Sequence, residues 1–256
     1  MDLDLEGNVV LITGGSAGLG KALAKVLTSE GAKVAICARG EDKLKKAAKE
    51  IGGDVFAQQA DVSKADDITS FVEAAAENFG GIDGVVNNAG TGAAFKFQDV
   101  TDEQWQDDYD LKVLAAVRTS RAALPYLKKS DSAAIVNVAN STGKSPRVKS
   151  LPTSMSRAAG INLTKAMSID LAEFEIRVNV VCNGFFTTEQ WEKNAEAAGK
   201  TEQELIDFLV KTSGVPAGRF GDPEEWAKVV AFILSPAGSY INGAALNIDG
   251  GLAPVV

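Results

Sequence analysis

Short apolar, β-branched runs alternate with longer alanine-rich stretches of helical period along the whole 256-residue chain, and this rhythm restricts the fold more than any single motif does. The strand-like runs are residues 9–12, 33–37, 55–58, 82–86, 134–138, 177–181 and 245–248. Most are nearly continuous in apolar side chains, the pattern of parallel strands covered on both faces rather than of a sheet with one wet side. Helical period fills residues 19–30, 41–51, 64–79, 102–128 and 153–173 between them. Strand followed by helix, repeated this regularly, predicts right-handed βαβ units. The expected fold is therefore α/β: one Rossmann-type, doubly wound, seven-stranded parallel sheet with helices on both faces, a single domain over residues 1–256. The charged helical stretch at 189–212 interrupts the rhythm before the last helix–strand pair and reads as an excursion over one edge of the sheet.

Composition removes whole classes of chemistry. There is no histidine, so a Ser–His–Asp triad, a histidine-bound metal and imidazole acid–base catalysis are all excluded, and no metal site is expected. A formal net charge of −8 argues against a nucleic-acid backbone as partner. No apolar run approaches the roughly 18–20 residues of a membrane helix. Residues 1–7 lack the basic start and apolar stretch of a signal peptide. The two cysteines, Cys37 and Cys182, stand far apart, as in a reduced cytoplasmic protein. Catalysis must rest on hydroxyls, carboxylates, Lys, Arg, Cys or a borrowed cofactor.

The first strand runs directly into Thr13-Gly14-Gly15-Ser16-Ala17-Gly18-Leu19-Gly20 and then a helix. Glycines suit a tight turn, a close approach to a pyrophosphate and tight helix–strand packing, with the free N–H groups of the helix start facing the phosphates. Asn87-Asn88-Ala89-Gly90 follows the fourth strand, Asp61-Val62 the third, and Gly218-Arg219-Phe220-Gly221-Asp222-Pro223-Glu224-Glu225 precedes the last helix. Asn247-Ile248-Asp249-Gly250-Gly251 closes the chain's final strand. Together these stretches resemble the short-chain dehydrogenases/reductases from residue 13 to 251. The resemblance implies a nicotinamide dinucleotide bound by Gly14, Ser16, Gly18, Leu19, Gly20, Asp61, Val62, Asn88, Ala89, Gly90 and Thr187. Where NAD-binding relatives place an acidic residue at the end of the second strand, this chain has Ala38 followed by Arg39. A guanidinium without a carboxylate suits a 2′-phosphate and favours NADP(H). The alternative is NAD(H) with Arg39 as a surface residue beside it.

The same resemblance implies an Asn, Ser, Tyr and Lys tetrad. The matching positions here hold Asp110, Asn140, Thr153 and Arg157, so all four are substituted. A phenol beside a lysine cation can share its proton with a carbonyl, whereas Thr153 has no comparably acidic proton and Arg157 stays charged. Two compensations are expected as alternatives: an Asp110–Arg157 ion pair that neutralises the pocket, or Asp110 as a general acid with its pKa raised by desolvation. Arg157 is also a candidate for stabilising an oxyanion. Ser141, Ser154 and Ser156 are candidate substitute hydroxyls, or else caps and backbone partners. Lys144, Arg147 and Lys149 form a basic loop, and Phe95, Phe97, Phe185, Phe186 and Trp191 flank the presumed mouth. These features point to a small-molecule substrate, apolar or acidic, and the resemblance implies a substrate lid at 189–212.

Three functions compete on this sequence. The first is an NAD(P)-dependent oxidoreductase acting on a carbonyl or secondary alcohol through a non-standard site. The second is a cofactor-binding but silent subunit beside an active paralogue, and the third is a lyase or hydrolase using a repurposed pocket. The resemblance implies a homotetramer packed through residues 102–128 and 153–173, with a hetero-oligomer as the alternative.

Overall fold

In the computed structural model, which describes residues 2–255, β1 (Val9–Thr13), β2 (Lys33–Ala38) and β3 (Val55–Gln59) alternate with α1 (Gly18–Ser29), α2 (Glu41–Ile51) and α3 (Ala65–Phe79). Next come β4 (Gly84–Asn87), the two-residue β5 (Ala94–Phe95), α4 (Asp102–Tyr109), a π-turn over Asp110–Leu114, and α5 (Ala115–Leu127). The second half holds β6 (Ala134–Asn140), β7 (Leu151–Pro152), α6 (Thr153–Asp170) and β8 (Arg177–Asn183). It closes with α7 (Glu189–Ala197), α8 (Glu202–Ser213), α9 (Pro223–Leu234) and β9 (Ala245–Ile248).

Seven parallel strands form one sheet in the order β3-β2-β1-β4-β6-β8-β9, the doubly wound arrangement that the alternating runs predict. Val10 sits level with Val34 on one side and Gly84 on the other, so the register runs straight through the centre. Every residue of β1 and β4 is buried, because helices cover both faces. One core layer joins Leu23 and Leu27 of α1 to Trp226 and Val230 of α9. The other joins Phe71 and Val72 of α3 to Leu127 of α5 and Ile135 of β6. β1 is flanked by β2 and β4, so successive connections depart in opposite directions and leave a crevice at the carboxyl ends of the strands.

Two predicted helices differ in the structure. Residues 102–128 are α4 and α5 joined by the π-turn, whose extra residue per turn alters which side chains face inward. Residues 153–173 stop being α-helical at Asp170 and finish as a short tight turn, Ala172–Phe174. The excursion at 189–212 is a helix pair, α7 and α8, broken near Gly199, whose φ is +64°. Among the described residues no helix is long and apolar enough to cross a membrane.

Candidate active site

The end of β1 and the end of β4 are stitched together. Thr13 Oγ1 accepts the N–H groups of Asn88 (3.0 Å) and Ala89 (3.1 Å), and Asn88 Nδ2 donates to the carbonyls of Thr13 (2.9 Å) and Gly14 (3.2 Å). This explains the glycine at position 20: an added Cβ would lie 2.4 Å from the Gly14 oxygen and 2.6 Å from Asn88 Nδ2. Gly14 itself adopts φ +72°, the left-handed region. α1 begins after Ala17 with no side-chain cap, so its first N–H groups open toward the crevice.

The resulting cleft has a volume of about 510 Å³. Gly14, Ala17, Gly18 and Leu19 line one side, with Asn88, Ala89 and Gly90 beside them. The opposite wall comes from Asn140 at the end of β6, from Asn183–Phe186 after β8, and from α7. Trp191 anchors α7 there: its indole donates to the Phe186 carbonyl (2.8 Å) and its ring meets Phe185 edge-on at 5.7 Å. Glu189, at the start of α7, pairs with Lys43 of α2 (3.0 Å) and Lys21 of α1 (3.9 Å), clasping α7 to the glycine-loop side.

Arg157 occupies the floor. Its Nη1 donates to the Val138 carbonyl, while its buried Nε has no hydrogen-bond partner. Its Nη2 lies against Gly90, where an added Cβ would come within 2.6 Å. No carboxylate forms an ion pair with it among the described residues. Burial pushes the guanidinium down to about 10, partly offset by the Asp108 charge.

The expected Asp110–Arg157 pair does not form. Asp110 points away from the cleft, where it accepts from Gln106 Nε2 (3.1 Å) and lies 3.8 Å from Arg118. Ordinary helical spacing is the reason: Asp110 stands two residues from Asp108 and so on roughly the opposite side, whereas Lys112, four residues on, shares the Asp108 face toward α6. Asp110 is also absent from the cleft lining, so it is not placed to act there as a general acid. The inward groups were invisible to motif matching. Lys112, with a wholly buried side chain, donates to Asp108 and to Thr153 Oγ1 (2.8 Å). Ser156 Oγ donates to the other Asp108 oxygen (2.5 Å), and the Ala93 N–H donates to Thr153 Oγ1 (3.1 Å). Desolvation, reinforced by the charge of Arg157 and opposed by Asp108, pushes the Lys112 ammonium down to about 8. The one sequence signal was an acid and a base four residues apart on a helix.

Other predicted residues separate cleanly. Asn140 lines the cleft, and its Oδ1 accepts from Thr142 Oγ1 (2.7 Å). Ser141 and Ser154 are buried but do not line the cleft, and Ser156 is committed to Asp108. Thr187 turns both its N–H (3.0 Å) and its hydroxyl (3.3 Å) to the Gly221 carbonyl, and Thr188 lines the cleft instead. Ser16 stands outside the lining, and Val62 packs in the core. Arg39 and Asp61 line a neighbouring depression of about 500 Å³ with Lys64 and Ser70. The basic loop serves the fold: Lys144 donates to the Ala245 carbonyl (2.8 Å) and Arg147 to that of Leu252 (3.1 Å).

Comparison with known proteins agrees with this geometry. The short chain dehydrogenase family model matches residues 8–199, and the chain belongs to that family. An uncharacterized oxidoreductase of Bacillus subtilis (strain 168), YvrD, is 36% identical over 260 residues, covering 98% of each chain. A short chain oxidoreductase of Pseudomonas aeruginosa PAO1, solved with NADPH bound and described as containing an atypical catalytic center, is 33% identical. It superposes with a TM-score of 0.94 over 99% of both chains. L-Sorbose reductase of Gluconobacter frateurii, solved with NADPH and L-sorbose, is 31% identical with a TM-score of 0.96 over 100% of both chains.

Proposed function

We propose that this protein is an NADP(H)-dependent oxidoreductase that interconverts a carbonyl and a secondary alcohol on a small molecule, through a centre built without the family's usual tetrad. The observation that carries this reading is Arg157, a buried guanidinium without an ion-pair partner among the described residues, on the floor of a cleft whose opposite side is the uncapped start of α1. The residues fit a nicotinamide dinucleotide. The glycine loop and the α1 N–H groups would hold its pyrophosphate, and Arg39 its 2′-phosphate. NADPH in both solved relatives supports the choice of cofactor. When bound, the reduced nicotinamide supplies the hydride.

The chain's own residues do the rest. Arg157 is a fixed cationic donor for the oxygen on which negative charge develops. Thr153 stands one helical turn before it on α6, in the position where the resemblance implies a tyrosine. Phe185, Phe186 and Trp191 keep water from the wall. Residues 189–212 act as the lid. Buried, unpaired Cys37 and Cys182 suit a reducing cytoplasm. The exposed Met155 and Ile169 on α6 suit packing into a homotetramer.

The test is a fluorescence titration with NADPH and NADH, followed by turnover on a carbonyl panel that includes ketoses and β-ketoacyl thioesters. Tighter binding of NADPH and one-to-one consumption with at least one carbonyl are expected. Tight NADPH binding without turnover of any carbonyl would sink the oxidoreductase reading in favour of a silent subunit.

A further inference from the structure

A buried acid–base pair sits directly behind the cleft wall, and the sequence motifs assign it no task. The Lys112 and Asp108 side chains are 0% and 4% exposed. Two charges taken that far from water are held no better than an apolar pair would be, so stability alone does not account for them. Their third partner is the informative one. Thr153 Oγ1 accepts from Lys112 Nζ (2.8 Å) and from the Ala93 N–H (3.1 Å), which uses both of its lone pairs. Its own proton donates to no acceptor among the described residues. Thr153 and Arg157 are four residues apart on α6 and so share one face of the helix, and Arg157 lines the cleft. Gly92, next to Ala93, lines it too. The free hydroxyl proton therefore belongs to the α6 face that carries Arg157, although Thr153 itself is buried and outside the cleft lining.

We infer that Lys112, held by Asp108, is a proton-supplying positioning residue that acts through the hydroxyl of Thr153. The inference rests on the carbonyl-reduction reading of the cleft. As hydride from the reduced nicotinamide adds to the carbonyl carbon, the π pair moves onto oxygen, and that oxygen takes the Thr153 proton. Thr153 Oγ takes a proton from Lys112 Nζ, leaving a neutral amine beside the Asp108 carboxylate. Solvent returns the proton after product leaves, so one hydride and one proton are consumed per alcohol formed. The charged groups facing Lys112 are Asp108, one turn before it, and Arg157 from α6. Asp108 favours the ammonium form and Arg157 the neutral amine, so this lysine exchanges a proton at a pH where an ordinary lysine does not.

The test has two arms. In protein labelled with ε-13C-lysine, the Lys112 signal is the one lost in Lys112→Arg. Its midpoint is expected near 8, and the midpoint is expected to fall in Asp108→Asn, which removes the favourable charge. In steady-state kinetics, kcat for carbonyl reduction is expected to decline above that same midpoint, and the decline to move to lower pH in Asp108→Asn. Thr153→Val is expected to lose roughly 10²–10⁴ in kcat with NADPH affinity retained, and Thr153→Ser to recover much of it. A Lys112 signal with no midpoint below about pH 10, or a kcat flat across that range, overturns the relay. Failure of every carbonyl to turn over defeats the reduction reading instead, and the NMR titration then still reports whether Lys112 exchanges its proton.

Discussion

Arg157 carries a charge beneath the cleft with no carboxylate ion-paired to it among the described residues and only the nearby Asp108 charge in partial compensation, and a buried cation of that kind opposes folding unless something else answers its charge. That tension gives a prediction in two directions. Arg157→Met keeps the length of the side chain and removes the charge. It is expected to raise Tm by roughly 2–4 °C, corresponding to about 1 kcal/mol in a domain of this size, and to lower kcat by roughly 10²–10³. Thermal unfolding and steady-state kinetics on the same preparation check both. Residues of this kind were partly legible in the sequence. The glycines and Asn88 could be read because backbone geometry dictates them, as the 2.4 Å approach at Gly20 shows. The four-residue spacing of Thr153 and Arg157 could be read because α6 fixes it, and of the two only Arg157 lines the cleft. Lys112 and Asp108 could not, because an acid and a base four residues apart on a helix look the same whether that face meets solvent or, as here, packs against α6. Asp110 matched a motif but stands two residues from Asp108, on roughly the opposite side of the helix.

The elements were easier than the joints between them. Buried parallel strands declare themselves as unbroken apolar runs, and all seven stand where those runs fall. The stretch 102–128 keeps helical period on both sides of the π-turn, and one extra residue shifts the phase without breaking the pattern. The helix pair α7 and α8 is legible as charged helical sequence, but its seat is tertiary. The ring of Phe220 stacks on Phe185 at 5.0 Å and meets Trp191 at 5.1 Å, joining the stretch after β8 and the start of α7 to the segment before α9. Aromatic pairs of this geometry contribute about 0.5–1.5 kcal/mol beyond their burial. Trp191→Ala is therefore expected to unseat α7, raising KM for the carbonyl severalfold while leaving the melting of the sheet core within a few degrees. Initial-rate kinetics and calorimetry measure the two effects. A KM unchanged in this variant would remove 189–212 from the role of lid.

Across the whole molecule, the reversal of strand order beside β1 creates the crevice, and charge decides what enters it. The chain has a net charge of −8, yet Lys43, Lys193 and Arg157 line the cleft against one carboxylate, Glu189. A local positive field on an acidic molecule steers an anionic dinucleotide at low salt and is screened as the Debye length shortens from about 10 Å at 0.1 M. NADPH affinity is accordingly expected to weaken by roughly tenfold between about 0.05 and 0.5 M salt, as stopped-flow fluorescence would show through kon. The Glu189 clasp adds an opposing consequence. The ions that screen the incoming dinucleotide also loosen the bridge from α7 to Lys43 and Lys21, so entry slows while the way out opens. Capture and release then carry opposite salt coefficients: kcat/KM drops with ionic strength while kcat climbs wherever departure of product limits the cycle.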